Sequence, residues 1–221
     1  MLKKINFIIG STVLLQSCAI DTTKIAPGYV EAFRTIKNTF VEQENKLISP
    51  ELIENIPYAS MSLRIGRGAP GLLILESVDL TKETWVSADG VFLLIKDGRV
   101  IESSGLFNNL KYFRSPDIDF NKIINKKGHD NLIYYYSYDK PKLNDMKVEV
   151  ERSYVRIEKV SLVNQDKDLH LIEEKIHNDY IGWRELNRFW VDDKGFVWKS
   201  EQHISPKLPV FKIEITKKPA Y

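Results

Sequence analysis

The chain has 221 residues, 43% of them hydrophobic and 28% charged, the composition of one ordinary globular domain or two small ones. Lys and Arg total 32 against 30 for Asp and Glu, a formal charge of only +2, which excludes a protein built mainly to hold nucleic-acid phosphates. A single cysteine excludes an internal disulfide and any cysteine-cluster metal site.

The first element is a leader. Met1-Leu2-Lys3-Lys4 is a short basic head, and Ile5 to Leu15 is mainly apolar. That stretch is shorter than the ~20 residues that span a bilayer, but it suits the core of a signal peptide. Leu15-Gln16-Ser17-Cys18 resembles the bacterial lipobox, with an aliphatic residue, a small residue and the required cysteine in their places. The resemblance implies cleavage before Cys18, a lipid on its thiol and acylation of the new amine. Residues 1–17 are then a signal peptide and 18–26 a lipidated tether. Lys3 and Lys4 account for the whole formal excess of positive charge and leave with the signal. Two or three acyl chains anchor durably where one holds only marginally. Ala19, where inner-membrane lipoproteins carry Asp, resembles the signal for the outer membrane, so the expected location is its periplasmic face.

Residues 27–221 read as a single β-rich domain opened by a helix. Tyr29, Phe33, Ile36 and Phe40 fall on one helical face, predicting an amphipathic helix over about Pro27 to Asn45 whose stripe packs on the sheet. A short second helix is expected from Ser49, with Pro50 in its first turn. From Tyr58 the period becomes two. Asp89-Gly90 and Asp97-Gly98, each between short apolar runs, are strong hairpin signals, so about five strands are expected between 58 and 104. Phe113 to Asp130 reads as loop or partial helix. Leu132 to Tyr138, rich in tyrosine, is a strand. Lys147 to Val163 alternates for so long that a bend is expected near Arg152-Ser153. Leu169 to His177, Glu185 to Val191, Phe196 to Ile204 and Val210 to Ile215 complete the set. The fold class is mainly β: an antiparallel meander forming a strongly curved sheet or barrel, with the N-terminal amphipathic helix.

Several stretches in order resemble one family. They are Pro57-Tyr58-Ala59-Ser60, Trp85-Val86-Ser87-Ala88-Asp89-Gly90, Gly98-Arg99, Gly105-Leu106 and Asn109-Leu110. Near the end come Asn187-Arg188-Phe189-Trp190-Val191-Asp192, then Gly195, Val197-Trp198-Lys199-Ser200, Gln202 and Pro206. The pattern is similar to that of the YjbF/GfcB outer-membrane lipoproteins, encoded with exopolysaccharide and group-four capsule secretion genes. The resemblance implies a periplasm-facing accessory protein, with a soluble periplasmic protein and a large outer-membrane β-barrel among its neighbours. It carries over no catalytic residue.

The residues themselves give no catalytic motif, so no catalytic, cofactor or metal site is assigned. His170 and His177 are an odd number apart on an expected strand and point to opposite faces, which disfavours a shared metal. Glu173-Glu174 splits across a strand and Asp192-Asp193 falls in an expected turn, so neither pair suits the two converging carboxylates of a glycosidase. Trp85 and Trp190 read as core, and Trp190 and Trp198 as possible cross-strand neighbours around the Asp192–Gly195 turn. Trp183, after Gly182, is expected to be the exposed ring. Arg188 is set down as a contact for an acidic sugar or, with Asp89 or Asp192, a structural ion pair. The expected docking surfaces are Phe113 to Asp130 and Asp179 to Arg184. The leading function is a non-enzymatic adaptor in polysaccharide secretion, with Trp183 and Arg188 as candidate partner or saccharide contacts and Cys18 as the lipid attachment. The alternative is a carrier or sugar-binding module holding a lipid or saccharide in the concave face. An apolar cavity favours the carrier, a groove lined by Trp and polar groups the sugar module, and a filled interior the adaptor.

Overall fold

Two Asp-Gly turns set the geometry of the first half of the sheet. At Asp97-Gly98 both residues have positive φ, 50° and 73°, giving the two-residue turn whose twist matches a β-hairpin. At Ala88-Asp89-Gly90 the loop has three residues. The Gly90 amide donates to the Ser87 carbonyl at 3.2 Å, and Gly90 itself sits at φ 87°. These turns join β3 (Lys82–Ser87), β4 (Phe92–Lys96) and β5 (Arg99–Ser104), which follow β1 (Ser60–Ile65) and β2 (Gly71–Asp79) as the expected five-strand meander. The computed structural model describes residues 48–116 and 118–220. The signal peptide, Cys18, the tether and the Pro27–Asn45 helix all lie outside the described residues.

The second half is another meander: β6 (Leu110–Arg114), β7 (His129–Asp139), β8 (Lys142–Ser161), β9 (Asp166–Asn178), β10 (Trp183–Val191), β11 (Val197–Gln202) and β12 (Phe211–Lys217). β12 pairs with β1, so both meanders form one twelve-stranded antiparallel sheet with β5 and β6 at its two ends. Only Gly105 to Asn109 separates those ends in sequence. Five residues reach no more than ~18 Å, so the sheet must roll until its edges meet. The result is a nearly closed barrel. At the seam the Leu110 amide donates to Ser103 Oγ at 2.9 Å, but no β5–β6 ladder forms.

Alternation places the large rings inside. Tyr134, Tyr136 and Tyr138 of β7 are buried, as are Val148 opposite Tyr134 and Met146 opposite Tyr136 on β8. β8 shifts register between Tyr154 and Arg156, slightly beyond the bend expected at Arg152-Ser153. Alternation is regular from Met146 to Arg152, and the extra residue beyond it re-aims the rest of the 20-residue strand. α1 (Pro50–Glu54) starts as expected, with Ser49 as N-cap accepting from the Leu52 amide at 3.4 Å. The segment read as loop or partial helix holds the end of β6 and a short helix, α2 (Phe120–Lys126). Phe120, Ile123 and Ile124 of α2 pack on Ile172, Phe189, Val191 and Val197, so these three residues of the expected docking surface are core, while Arg114, Lys122, Asn125, Lys126 and Lys127 stay exposed.

Candidate functional site

The charged groups buried in the barrel are the natural place to look for chemistry. Arg99 follows the Asp97-Gly98 turn and enters the interior with 2% exposure, and Glu174 on β9 is 0% exposed. Arg99 Nη2 lies 2.6 Å from Glu174 Oε1, which also accepts from the Tyr134 hydroxyl at 2.9 Å. The guanidinium sits 4.6 Å from the Phe189 ring centroid and 5.1 Å from that of Tyr134. Burial works against the Arg99 charge, but Glu174 and the tyrosines outweigh it and raise the guanidinium's proton affinity. Burial drives the Tyr134 hydroxyl well above its ordinary range, so it stays a neutral donor. Nearby, Arg152 Nη2 meets Asp130 at 2.9 Å. The cluster is an ion pair with its hydrogen bonds, and Glu174 meets Arg99 rather than a second carboxylate. Glu173, its neighbour, lies on the opposite face beside Arg188.

Several other motif residues bind backbone. Gln202 accepts from the Val100 amide at 3.1 Å and donates to the Gly98 carbonyl at 2.9 Å, tying β11 to the β4–β5 turn across the barrel. Asn187 accepts from the His203 amide at 2.7 Å, and Asn109 Oδ1 from the Leu106 amide at 2.9 Å. Asp192 accepts from the Trp198 indole and from the amides of Lys194 and Phe196, all within 3.0 Å. The sequence marks these residues as a pattern; the structure gives them the work of holding turns and strand crossings.

Trp183 is a correction. It is only 6% exposed, because Gly182 turns the chain and β10 starts with its ring directed inward, edge-on to Tyr136 at 5.8 Å between centroids. The exposed ring of that segment is Tyr180, at 97%, beside half-exposed Ile181. Arg188 is held between Glu173 at 3.0 Å and Glu201 at 3.1 Å, and Glu201 reaches Lys212 at 3.0 Å. It forms a structural ion pair, but its partners lie directly across the register on β9 and β11 rather than at Asp89 or Asp192. Trp85 and Trp190 are core as expected. Trp190 and Trp198 are not directly opposed: a register shift at Trp190/Val191 sets Trp190 across from Lys199. His170 meets Asp193 at 2.8 Å and His177 meets Glu149 at 3.3 Å, on alternate faces of β9.

Two of the grooves on the described surface carry aromatic rings beside charged groups. One, of about 460 Å³, runs along the β10–β11 turn past Phe196 and Trp198. Its rings are already covered: Lys218 lies 4.1 Å from the Phe196 centroid and Lys167 4.3 Å from that of Trp198. The other, of about 450 Å³, follows the β5–β6 seam, and among its charged lining residues cations outnumber acids.

Comparison with known proteins agrees with this architecture. The crystal structure of the hypothetical lipoprotein YmcC from Escherichia coli (K12) superposes with a TM-score of 0.69 at 20% identity, covering 86% of this chain and 97% of that one. In sequence, the chain is 20% identical over 199 residues to the uncharacterized lipoprotein YjbF of Escherichia coli (strain K12), covering 87% of both. It is 25% identical over 76 residues to the uncharacterized lipoprotein GfcB of the same organism, 34% of this chain and 36% of that one. The family model described as group 4 capsule polysaccharide lipoprotein gfcB, YjbF matches residues 33–216, most of the chain, and the chain belongs to that family.

Proposed function

We propose that this protein is an accessory lipoprotein of capsule or exopolysaccharide secretion, anchored at the periplasmic face of the outer membrane through lipid on Cys18 and acting as a non-enzymatic adaptor. Membership of a capsule polysaccharide lipoprotein family carries the reading. Two features support the adaptor role. Side chains occupy the barrel interior, from the Arg99–Glu174 pair to the Phe120–Phe189 contact, which leaves little room for the lipid cargo of a carrier. The buried carboxylate is neutralised by an arginine, an arrangement suited to packing rather than to proton transfer. The docking partners are an outer-membrane β-barrel and a soluble periplasmic protein of the same system. Tyr180 and Ile181, exposed on the β9–β10 loop, are the contacts in place of Trp183.

Deletion of the gene, with the wild-type copy returned as control, tests the reading. Surface polysaccharide is expected to disappear and return. The purified protein incubated with that polymer is expected to leave its chain length unchanged. Polysaccharide that persists in the deletion strain overturns the accessory role, and shortened chains overturn the non-enzymatic one.

A further inference from the structure

We infer that the groove along the β5–β6 seam binds a negatively charged glycan chain. The inference rests on the polysaccharide reading above and names the chemical class that the protein contacts. The groove measures about 450 Å³, within the range of roughly 300–1,000 Å³ common for ligand sites. It lies where the barrel closes without a ladder, so it is a cleft between two strand edges and not a flat patch. Five cations line it: Lys82, Lys96, Arg99, Lys111 and Arg114. Only two acids, Asp97 and Glu102, line it with them. Asp117 lies outside the described residues, and counting it in sequence still leaves the cations in excess.

The cations are stacked, not scattered. Lys82 stands directly across from Lys96, and Lys96 directly across from Arg99, in the register of three adjacent strands. Like charges placed directly opposite destabilise a sheet. Arg99 is compensated from within by Glu174, Lys111 by Glu102 at 3.5 Å and Arg114 by Asp145 at 3.8 Å. Lys82 and Lys96 have no acidic partner among the described residues. Two adjacent lysines without an acidic partner on an open cleft are what an external anion relieves. Below them, Arg99 Nε is buried and makes no hydrogen bond. Tyr112, 55% exposed on the opposite lip, adds a ring beside the charges, the combination that fits a sugar ring bearing a carboxylate or phosphate. Trp198's groove lacks this combination, since lysines of the protein already cover its rings.

The test uses the full lipoprotein in phosphatidylcholine nanodiscs and a fluorescent hexamer of galacturonic acid, with maltohexaose as the neutral control. The acidic hexamer is expected to bind saturably, to weaken as salt rises and to bind at least about tenfold tighter than the neutral one. Lys96→Glu, and separately Lys111→Gln with Arg114→Gln, are each expected to weaken binding about tenfold with the fold unchanged by near-ultraviolet circular dichroism. The second variant decides if the first fails to fold. Equal binding of both hexamers overturns the inference, as does binding that the folded variants leave intact. Phosphatidylglycerol in the discs is expected not to displace the hexamer; displacement reassigns the groove to lipid headgroups and overturns it too. If deletion still removes surface polysaccharide while the hexamer fails to bind, the groove is lost and the accessory role stands. If the hexamer binds and deletion has no effect, the accessory role is lost and the site stands.

Discussion

Arg99 shows how one residue holds a barrel shut. A buried guanidinium is costly unless a carboxylate and well-placed hydrogen bonds meet it, and here Glu174 and the ring faces of Phe189 and Tyr134 do so. Removing one partner leaves a bare charge, so Glu174→Gln is expected to destabilise the fold by about 3–5 kcal/mol in urea unfolding. Replacing both partners, Arg99→Met with Glu174→Leu, is expected to restore most of that loss, because no charge then remains to be desolvated. Asp192 carries a separate, pH-dependent contribution. Partial burial raises its pKa, but the Trp198 indole and the Phe196 and Lys194 amides lower it further, to a net value below the ordinary 3.8. A depressed folded-state pKa contributes stability that is complete above the unfolded value and is lost as pH falls through the folded one. Asp192→Asn is therefore expected to cost about 1 kcal/mol at neutral pH, toward the low end because the group is half solvated. The difference from wild type narrows as the pH drops below about 4. A constant difference between pH 7 and pH 3 contradicts the assignment.

At the scale of elements, the turns were the most legible feature. Asp-Gly pairs demand positive φ, and both occur where the sequence places them. Gly90→Val is expected to cost about 1–2 kcal/mol through the left-handed backbone penalty, read as a lowered melting temperature. An unchanged midpoint shows that the turn tolerates a side chain there. Strands with regular alternation were equally legible, as Tyr134, Tyr136 and Tyr138 illustrate. β6 was not: a register shift falls between Leu110 and Tyr112, and Leu110 alone of its five residues is buried, so no period of two survives. Trp183 misled for a related reason. Its sequence neighbours, Gly182 and Arg184, suggest a surface, and the ring that covers it, Tyr136, arrives from a strand three places away in the sheet. The seam groove was illegible altogether. Lys82, Lys96 and Arg99 are ordinary surface charges in sequence and become a row only once three strands are in register. Asn187 and Gln202 stood out as a pattern, but a polar letter does not say whether its partner is a ligand or a backbone amide.

For the whole molecule, attachment and surface chemistry belong together. Among the described residues no helix is long and apolar enough to cross a membrane. The proposed attachment is Cys18, the only thiol in the chain, directly after an apolar stretch of signal-peptide length. Cleavage before Cys18 would remove Lys3 and Lys4 and leave a balanced formal side-chain charge. A general electrostatic pull toward anionic lipid is then weak, and retention depends on acyl chains, each methylene contributing about 0.8 kcal/mol. Cys18→Ala is thus expected to abolish metabolic labelling with an alkyne fatty acid and to release the protein from the outer-membrane fraction. The β-barrel domain should stay folded, because Cys18 precedes every element described. Label retained by the variant excludes Cys18 as the attachment point, and fractionation of the wild type with the inner membrane contradicts the sorting read from Ala19. A released, folded variant that no longer restores surface polysaccharide shows that position at the membrane, and not the domain alone, is what the secretion system requires.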